Sequence, residues 1–177
     1  MTHLFLSASL RWLGRDDIPP DSTLDLLANF DIQKATVQDA INVALNLREE
    51  DRSEIIHGHG NSPMVSLLLG VKSTSSITAF APDGKPACMA GVDQNGGIWM
   101  LCTPEIHQAP RSFVRQAKRW IDSLPYLYLY NRADIRNTIH LKLLKHLGFK
   151  FLRVVPHGPN NLYFVEFIKL CAVSPQQ

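Results

Sequence analysis

Several side chains in the second half of the chain have the types and the spacing needed to bind an anion. Four basic residues recur at helical spacing and share one face of a predicted helix: Arg111, Arg115, Lys118 and Arg119. An anion at the positive N-terminus of this helix would meet Arg111 first. The same residues also fit a solvated basic face on a helix whose opposite side is buried, and the sequence leaves both interpretations open.

Histidine and cysteine side chains are further candidates for chemistry. His107 lies just before the basic helix, and an imidazole with an ordinary pKa of about 6.5 suits proton transfer near neutral pH. Cys102 and His107 could act as nucleophile and base, although a thiol in a predicted buried strand is more typical of a core. His57 and His59 are spaced like a metal-binding pair, but no third ligand follows at a suitable spacing, which favours a polar loop. The sequence therefore predicts no metal site.

Composition indicates an ordinary globular domain. The chain has 177 residues, of which 45% are apolar and 19% charged, which fits one domain with a core of its own. The formal net charge of +2 is too small to indicate nucleic-acid binding, and no aromatic platform accompanies the basic helix.

Cysteine spacing and hydropathy indicate the compartment. The three cysteines are widely spaced, as expected for free thiols in a reducing compartment. Residues 1–13 lack the basic region of a signal peptide, so none is predicted. No apolar run approaches the roughly 20 residues that cross a bilayer, so no membrane segment is predicted.

The elements that must position these side chains centre on residues 137–149. Apolar residues recur there at helical spacing, at Ile139, Leu143, Leu144 and Leu147. Gly148 then offers the left-handed conformation that ends a helix. Residues 126–131 and 149–155 have the alternation or the β-branched content of strands. The pattern predicts a strand, a short amphipathic helix and a second strand.

Two further helices are predicted near the start of this domain. Thr36, followed three residues later by Asp39, predicts a capped helix start. The charged stretch 47–56 favours a second helix, which Gly58 and Gly60 are expected to end.

The remaining elements follow from turn signals and apolar runs. Asp83 and Gly84 favour a tight hairpin turn, Pro63 suits the first position of another helix, and residues 111–123 predict a long one. Further strands are predicted over residues 30–35, 77–81, 87–92, 98–103 and 162–168.

Three segments divide the chain. Residues 30–170 form the predicted domain, residues 171–177 a tail, and residues 1–29 an N-terminal extension with a short helix at 23–27. The extension could bind a partner, but the sequence favours a strap packed on its own domain.

The helix at residues 137–149 resembles the penultimate helix of the GNAT acetyltransferases, which carries the pattern N-x-x-A-x-x-L-Y-x-x-x-G-F. Four positions match in register: Asn137, Leu143, Gly148 and Phe149. His140 stands at the alanine position and Leu144 at the tyrosine position. The order of predicted elements is also that of the GNAT fold. The resemblance implies an α/β, GNAT-like (acyl-CoA N-acyltransferase) fold with a mixed, mostly antiparallel sheet flanked by helices, splayed between its fourth and fifth strands to admit acyl-CoA.

Segments elsewhere are similar to a phage branch of this superfamily. Residues 35–39, 47–55 and 99–103, together with residues 137–149, resemble the podophage internal virion protein A family. This resemblance implies a phage protein located in the host bacterial cytoplasm or the virion interior. Its partners would be phage virion proteins or a host bacterial protein, and a homodimer is open.

The resemblance also implies a phosphate-binding loop, from which the sequence departs. GNAT enzymes carry roughly V-x-P-x-x-[RQ]-G-x-G-x-G after the fourth strand; aligned on Pro104, the glycine positions hold Gln108, Pro110 and Ser112. A proline there removes one amide donor. Contacts to acetyl-CoA are still implied for Leu101, Thr103, Gln108, Arg111, Ser112 and Asn137. For Asn137, a role as helix cap is an equal alternative.

The implied catalytic residues are a base and an acid. Glu105 stands at the end of the fourth strand, where many GNAT enzymes place the base, and His107 is the second candidate. Because Leu144 cannot replace the family tyrosine that protonates the leaving thiolate, His140 or Tyr130 would have to serve as the acid.

Two functions remain after this comparison. The first is a phage-encoded GNAT-fold protein with a degenerate acetyl-CoA loop, acting by protein contact in virion assembly or ejection, or on a host target. The second is an active acetyl-CoA-dependent N-acetyltransferase that modifies a host protein or a small amine. The lost glycines, Pro110 and Leu144 favour the first.

Overall fold

A computed structural model describes residues 29–73 and 75–171 of the chain. The predicted elements from residue 30 onward are present, with bounds that shift by a few residues. The predicted helix at 23–27 and the end of the predicted tail lie outside the described residues. The elements are, in chain order, β1 (Asp31–Lys34), α1 (Val37–Leu45), α2 (Glu49–Ser53), a π-helical turn (Glu54–His59), α3 (Pro63–Val71), β2 (Ile77–Phe80), β3 (Pro86–Val92), β4 (Ile98–Cys102), a 3-10 turn (Pro104–Gln108), α4 (Pro110–Asp122), β5 (Tyr128–Asp134), α5 (Thr138–His146), β6 (Lys150–His157) and β7 (Leu162–Leu170).

The start of α1 is fixed by the predicted capping box, which is confirmed. The Asp39 backbone N–H donates to Thr36 Oγ1 at 3.2 Å, and the Thr36 N–H donates to Asp39 Oδ2 at 2.9 Å. These two bonds satisfy backbone donors that the first turn of a helix leaves unpaired. The buried Thr78 hydroxyl also donates to Asp39 Oδ2, at 3.1 Å, so the same carboxylate ties α1 to β2.

The predicted helix end at Gly60 is confirmed. The expectations that Gly58 breaks the helix and that His57 and His59 lie in a polar loop are wrong. Helix α2 continues directly into the π-helical turn, which ends at Gly60 with a φ of 68°. Gly58 is needed for close packing instead, because a Cβ at this position would lie 2.4 Å from the Phe164 ring.

The strands form two sheets that separate between β4 and β5, as predicted. The first sheet has the order β1-β2-β3-β4 and the second β5-β7-β6, with antiparallel neighbours throughout. Among the described residues, one parallel bridge from Gly97 to Tyr130 connects β4 and β5. The strands therefore meet at one end and leave an opening beyond it.

Helices cover both faces of the sheets. Helices α4 and α5 pack on one face around Phe113, Ile121 and Leu143. Helices α1 and α3 pack on the other face, where Val43 and Leu67 meet Met89 of β3. No helix in the described part of the chain has the length and apolarity needed to span a membrane.

A buried ion pair ties the connection after α1 to the end of β4. Arg48 Nη2 lies 2.8 Å from Asp51 Oδ1, and Arg48 Nε donates to Asp51 Oδ2 at 3.1 Å. The same carboxylate accepts from the Cys102 backbone N–H at 2.9 Å, and the Arg48 N–H donates to the Cys102 carbonyl at 2.9 Å. Both charges are thereby satisfied inside the protein.

Asp51→Ala is expected to destabilise the protein by about 3–5 kcal/mol, because it leaves the buried Arg48 charge without its partner. The matched control is Asp31→Ala, which removes an exposed carboxylate of β1 bonded to the side chain of Gln33 and should cost about 0–1 kcal/mol. Urea unfolding at constant slope measures both values. Equal losses in the two variants would contradict a structural role for the buried pair.

Candidate functional site

A cavity of about 400 Å³ lies where β4 and β5 separate. One end is apolar and is formed by residues of α4, α5 and the strands beneath them, among them Ala117, Ile121, Leu144 and Phe167. The other end is polar, with side chains from the α2 segment, the π-helical turn and α5. A long ligand with an apolar arm and a polar reacting end would fit this division.

Glu54 is the buried carboxylate of the polar end. It belongs to the π-helical turn, lines the cavity and is 8% exposed. Its Oε1 accepts from the Asp134 backbone N–H at 3.2 Å, and its Oε2 accepts from Asn137 Nδ2 at 3.1 Å. His140 Nδ1, also at the cavity, lies 3.8 Å from Oε2. A carboxylate held in this way beside an imidazole can accept a proton and pass it on.

Asn137 organises the polar end from the start of α5. Its Oδ1 accepts from the His140 N–H at 3.2 Å, so the predicted helix cap is confirmed. Its Nδ2 donates to Asp51 Oδ1 at 3.2 Å as well as to Glu54. The side chain is buried, and it fixes both carboxylates relative to the helix that carries His140.

The edge of β4 presents one backbone amide to the opening. Antiparallel pairing places the N–H groups of Trp99, Leu101 and Thr103 toward β3, as the bond from Thr103 N–H to the Ala87 carbonyl shows. The alternate residues face the opening. There the Cys102 amide is bonded to Asp51, which leaves the Met100 N–H directed at the cavity.

Trp99 forms a flat wall of the cavity. A Cβ on Gly70 of α3 or on Gly91 of β3 would lie 2.7 Å from the indole ring. The two glycines therefore allow the ring to lie directly against backbone on the helix and on the strand. One aromatic surface is thus held in a fixed position beside the polar end.

A pair of histidines closes the site on the side of the second sheet. His157 Nε2 lies 3.0 Å from His59 Nδ1, and both rings pack edge-to-face on Phe164. Burial lowers the pKa of His59; the charge of Glu54 opposes this shift, and the neighbouring His157 adds to it. The buried His59 ring therefore favours its neutral form.

Two of the nine residues selected from the sequence, Leu101 and His140, are among the described residues that line the cavity. Thr103 is buried in the turn after β4, where its hydroxyl donates to the Pro86 carbonyl at 2.9 Å. Glu105 lies on the 3-10 turn and accepts from Gln108 Nε2 at 2.6 Å. His107 lies in the same turn, and burial, followed by the charge of Arg48, lowers its pKa.

The N-terminus of α4 is shaped by proline and by the segment before β1. Pro110 is the first residue of α4, and Arg111, partly exposed, follows it in the first turn. Ser112 is fully buried, and its hydroxyl donates to Asn29 Oδ1 at 3.4 Å. Phe30 packs edge-to-face on Phe113 at 5.5 Å between ring centroids. The start of the described chain therefore lies against this helix end.

Tyr130, the other candidate acid, lies on the exposed face of β5 beside Tyr128 and is not among the described lining residues. In the described part of the chain, no group of three His, Cys, Asp or Glu side chains could hold a metal ion. The thiols of Cys88, Cys102 and Cys171 are free, and a hydrogen bond between the Cys102 thiol and Cys88, followed by burial, raises the pKa of Cys102.

Sequence reasoning missed Asp51 and Glu54. Both lie in a charged stretch that favours a solvated helix, and nothing in their spacing shows that the π-helical turn directs Glu54 inward. The two glycines after them were the available signal, since a helix that packs closely at a glycine is often distorted.

Comparison with solved structures identifies the fold. A GCN5-related N-acetyltransferase from Kribbella flavida superposes with a TM-score of 0.57 at 15% identity, covering 80% of this chain and 97% of that chain. GNAT-family acetyltransferases from Streptococcus agalactiae and Bacillus cereus give TM-scores of 0.63 and 0.57 at 11% and 13% identity. Both alignments cover 81% of this chain; they cover 96% of the Streptococcus agalactiae chain and 98% of the Bacillus cereus chain. No family model and no curated protein matches the sequence. The chain has the fold of GNAT acyl-CoA N-acyltransferases.

The lowered pKa of His59 predicts that the protein becomes less stable in mild acid. The unfolded chain binds a proton at His59 more readily than the folded protein does, so the free energy of unfolding falls as the pH drops from about 7 to about 5. His59→Gln is expected to flatten this dependence, and His146→Gln, on the exposed side of α5, is expected to leave it unchanged. Urea unfolding across this pH range measures the slopes; equal slopes for wild type and His59→Gln would refute the assignment.

Proposed function

We propose that the protein is an acetyl-CoA-dependent N-acetyltransferase in which Glu54 is the general base. The observation that carries this proposal is the buried carboxylate of Glu54 beside the half-buried His140, both of which line a cavity at the opening between β4 and β5. Glu54 replaces the candidates Glu105 and His107, because it lines the cavity and they are not among the described lining residues.

The residues of the cavity fit the pantetheine arm and acetyl group of acetyl-CoA better than its phosphates. Leu143, Leu144 and Ile121 offer an apolar wall to the arm, and the open Met100 amide can hold a carbonyl oxygen. At the phosphate end, Arg111 could supply charge, with Gln108 and Ser112 nearby in sequence, but no glycine lies there. Acetyl-CoA, when bound, would supply the activated acyl group.

The chain's own groups then have distinct tasks. Glu54 takes the proton from the acceptor ammonium and so exposes the nitrogen lone pair. Its two hydrogen bonds, from Asp134 and Asn137, keep the carboxylate oriented toward the cavity. His140 lies 3.8 Å from Glu54, beyond direct hydrogen-bond distance, and in its protonated form it could supply a proton to the leaving thiolate in place of the missing tyrosine.

A second candidate function is protein contact by a phage protein in the host bacterial cytoplasm or the virion interior, without catalysis. The observation that favours it is the occupied N-terminus of α4, where Asn29 bonds to Ser112 and Pro110 removes an amide donor. The partners would be phage virion proteins or a host bacterial protein, and residues 1–29 would be a candidate arm for that contact.

Titration calorimetry with acetyl-CoA separates the two functions. Under the first, we expect micromolar binding, equivalent to about 8 kcal/mol, with desulfo-CoA bound about equally well because it keeps the arm and the phosphates. Absence of heat and of thermal stabilisation at millimolar acetyl-CoA would refute the enzyme and favour protein contact.

Glu54→Gln tests the base and keeps the size of the side chain. We expect kcat to fall by about 100-fold to 10,000-fold, with acetyl-CoA affinity unchanged, because the amide cannot accept the proton. Glu105→Gln is the matched variant of the sequence-based candidate and should change kcat by less than about threefold. The kcat of both variants is measured with a panel of amines and acetyl-CoA, and the reaction is monitored by the release of the CoA thiol. A large loss in Glu105→Gln with an active Glu54→Gln would reverse the assignment.

A further inference from the structure

A row of three charged side chains crosses the second sheet next to the cavity. Arg132 of β5 is the register partner of Glu166 on β7, and its Nε and Nη2 donate to Glu166 Oε1 at 3.1 and 2.9 Å. Arg153 of β6 donates from Nε to the other oxygen, Glu166 Oε2, at 2.6 Å. One carboxylate is thus shared by two guanidinium groups, so the row keeps one positive charge in excess.

Arg132 is the member of this row that lines the cavity. A guanidinium has about five N–H donors, so the two bonds to Glu166 leave Arg132 donors for a further oxyanion. Its side chain is 45% exposed, whereas Arg153, which is not among the described lining residues, is 72% exposed. Arg132 therefore combines a place in the cavity lining with an accessible guanidinium.

The opposite charge lies a short distance along the same strand. Glu54 accepts from the backbone N–H of Asp134, two residues beyond Arg132 and thus about 7 Å further along β5. Among the ion pairs of the described residues, Glu54 has His140 as its partner and no lysine or arginine. The lining therefore combines the buried Glu54 carboxylate with the half-exposed Arg132 guanidinium, and the backbone positions that hold them on β5 are two residues apart.

We infer that the acceptor is a small amine that also carries an oxyanion, of the kind found in free amino acids. Its ammonium would meet Glu54, and its carboxylate would meet Arg132. This inference rests on the proposed acetyl transfer, since it assigns the acceptor of the same site.

The rest of the mouth agrees with a zwitterionic acceptor. The lining residues of α3 and of the segment just after it, Ser66, Leu69, Gly70 and Ser73, carry no charge, and Trp99 offers a flat apolar surface. A polyamine would place its second cation next to Arg132, where like charges repel. An amino acid instead pairs each of its charges with an opposite one.

The test compares each amino acid with its own amide, which keeps the amine and removes the carboxylate charge. Binding to wild-type protein saturated with desulfo-CoA is measured by calorimetry, and acetyl transfer from acetyl-CoA is measured in parallel. For the best acceptor, we expect the amide to bind about tenfold more weakly or worse. Arg132→Gln should remove this preference, and Arg153→Gln, the matched control on the same carboxylate, should change acceptor affinity by less than about threefold.

The outcomes distinguish the acceptor from the proposed activity. If amino acids and their amides bind equally and are acetylated equally, the proposed acceptor class is wrong, but acetyl transfer stands. The same holds if acetyl-CoA binds and no amino acid does. Equal losses in Arg132→Gln and Arg153→Gln would show a general charge effect and also overturn it. If acetyl-CoA itself fails to bind, the proposed acetyl transfer is wrong. Binding of amino acids in the absence of acetyl-CoA then decides whether Arg132 recognises an oxyanion.

Discussion

The structure depends on two buried carboxylates, Asp51 and Glu54, that hold the opening between the sheets in shape. Asp51 is bonded to the end of β4 through Cys102 and to Arg48, and Glu54 is bonded to the end of β5 through Asp134. Asn137 donates to both. In the described part of the chain, one bridge, from Gly97 to Tyr130, connects β4 and β5 at the opposite end. The buried side chains therefore link the two strands across the gap.

The free-energy cost of burying these negative charges explains why the backbone forms a π-helical turn at Glu54. An unsatisfied buried carboxylate would be strongly destabilising, so each oxygen needs donors. The π-helical turn turns Glu54 toward the Asp134 amide, and the glycine at position 58 allows that turn to pack on Phe164. A regular helix over the same residues would direct the side chains differently, because its residues advance by a different angle.

The sequence predicted those parts of the fold that depend on local chemistry. The capping box at Thr36 and Asp39 and the amphipathic helix after Asn137 involve residues a few positions apart, so their patterns are visible in one dimension. The site was not visible, because Glu54 meets an amide 80 residues later in the chain. Glu105 was selected because it follows β4, but the 3-10 turn bonds its carboxylate to Gln108 instead.

In the proposed function, the missing glycines would affect binding of the phosphates of acetyl-CoA, whereas the reaction would take place at the polar end of the cavity. Contacts to the phosphates of acetyl-CoA are made equally in the ground state and the transition state, so their loss weakens binding without lowering the rate of the bound complex. In the proposed reaction, Glu54, His140 and the Met100 amide would act where charge changes. A site with a weakened phosphate loop and an intact polar end is therefore consistent with the proposed enzyme, with weaker binding of acetyl-CoA. Its affinity would come mainly from the apolar wall formed by α4 and α5.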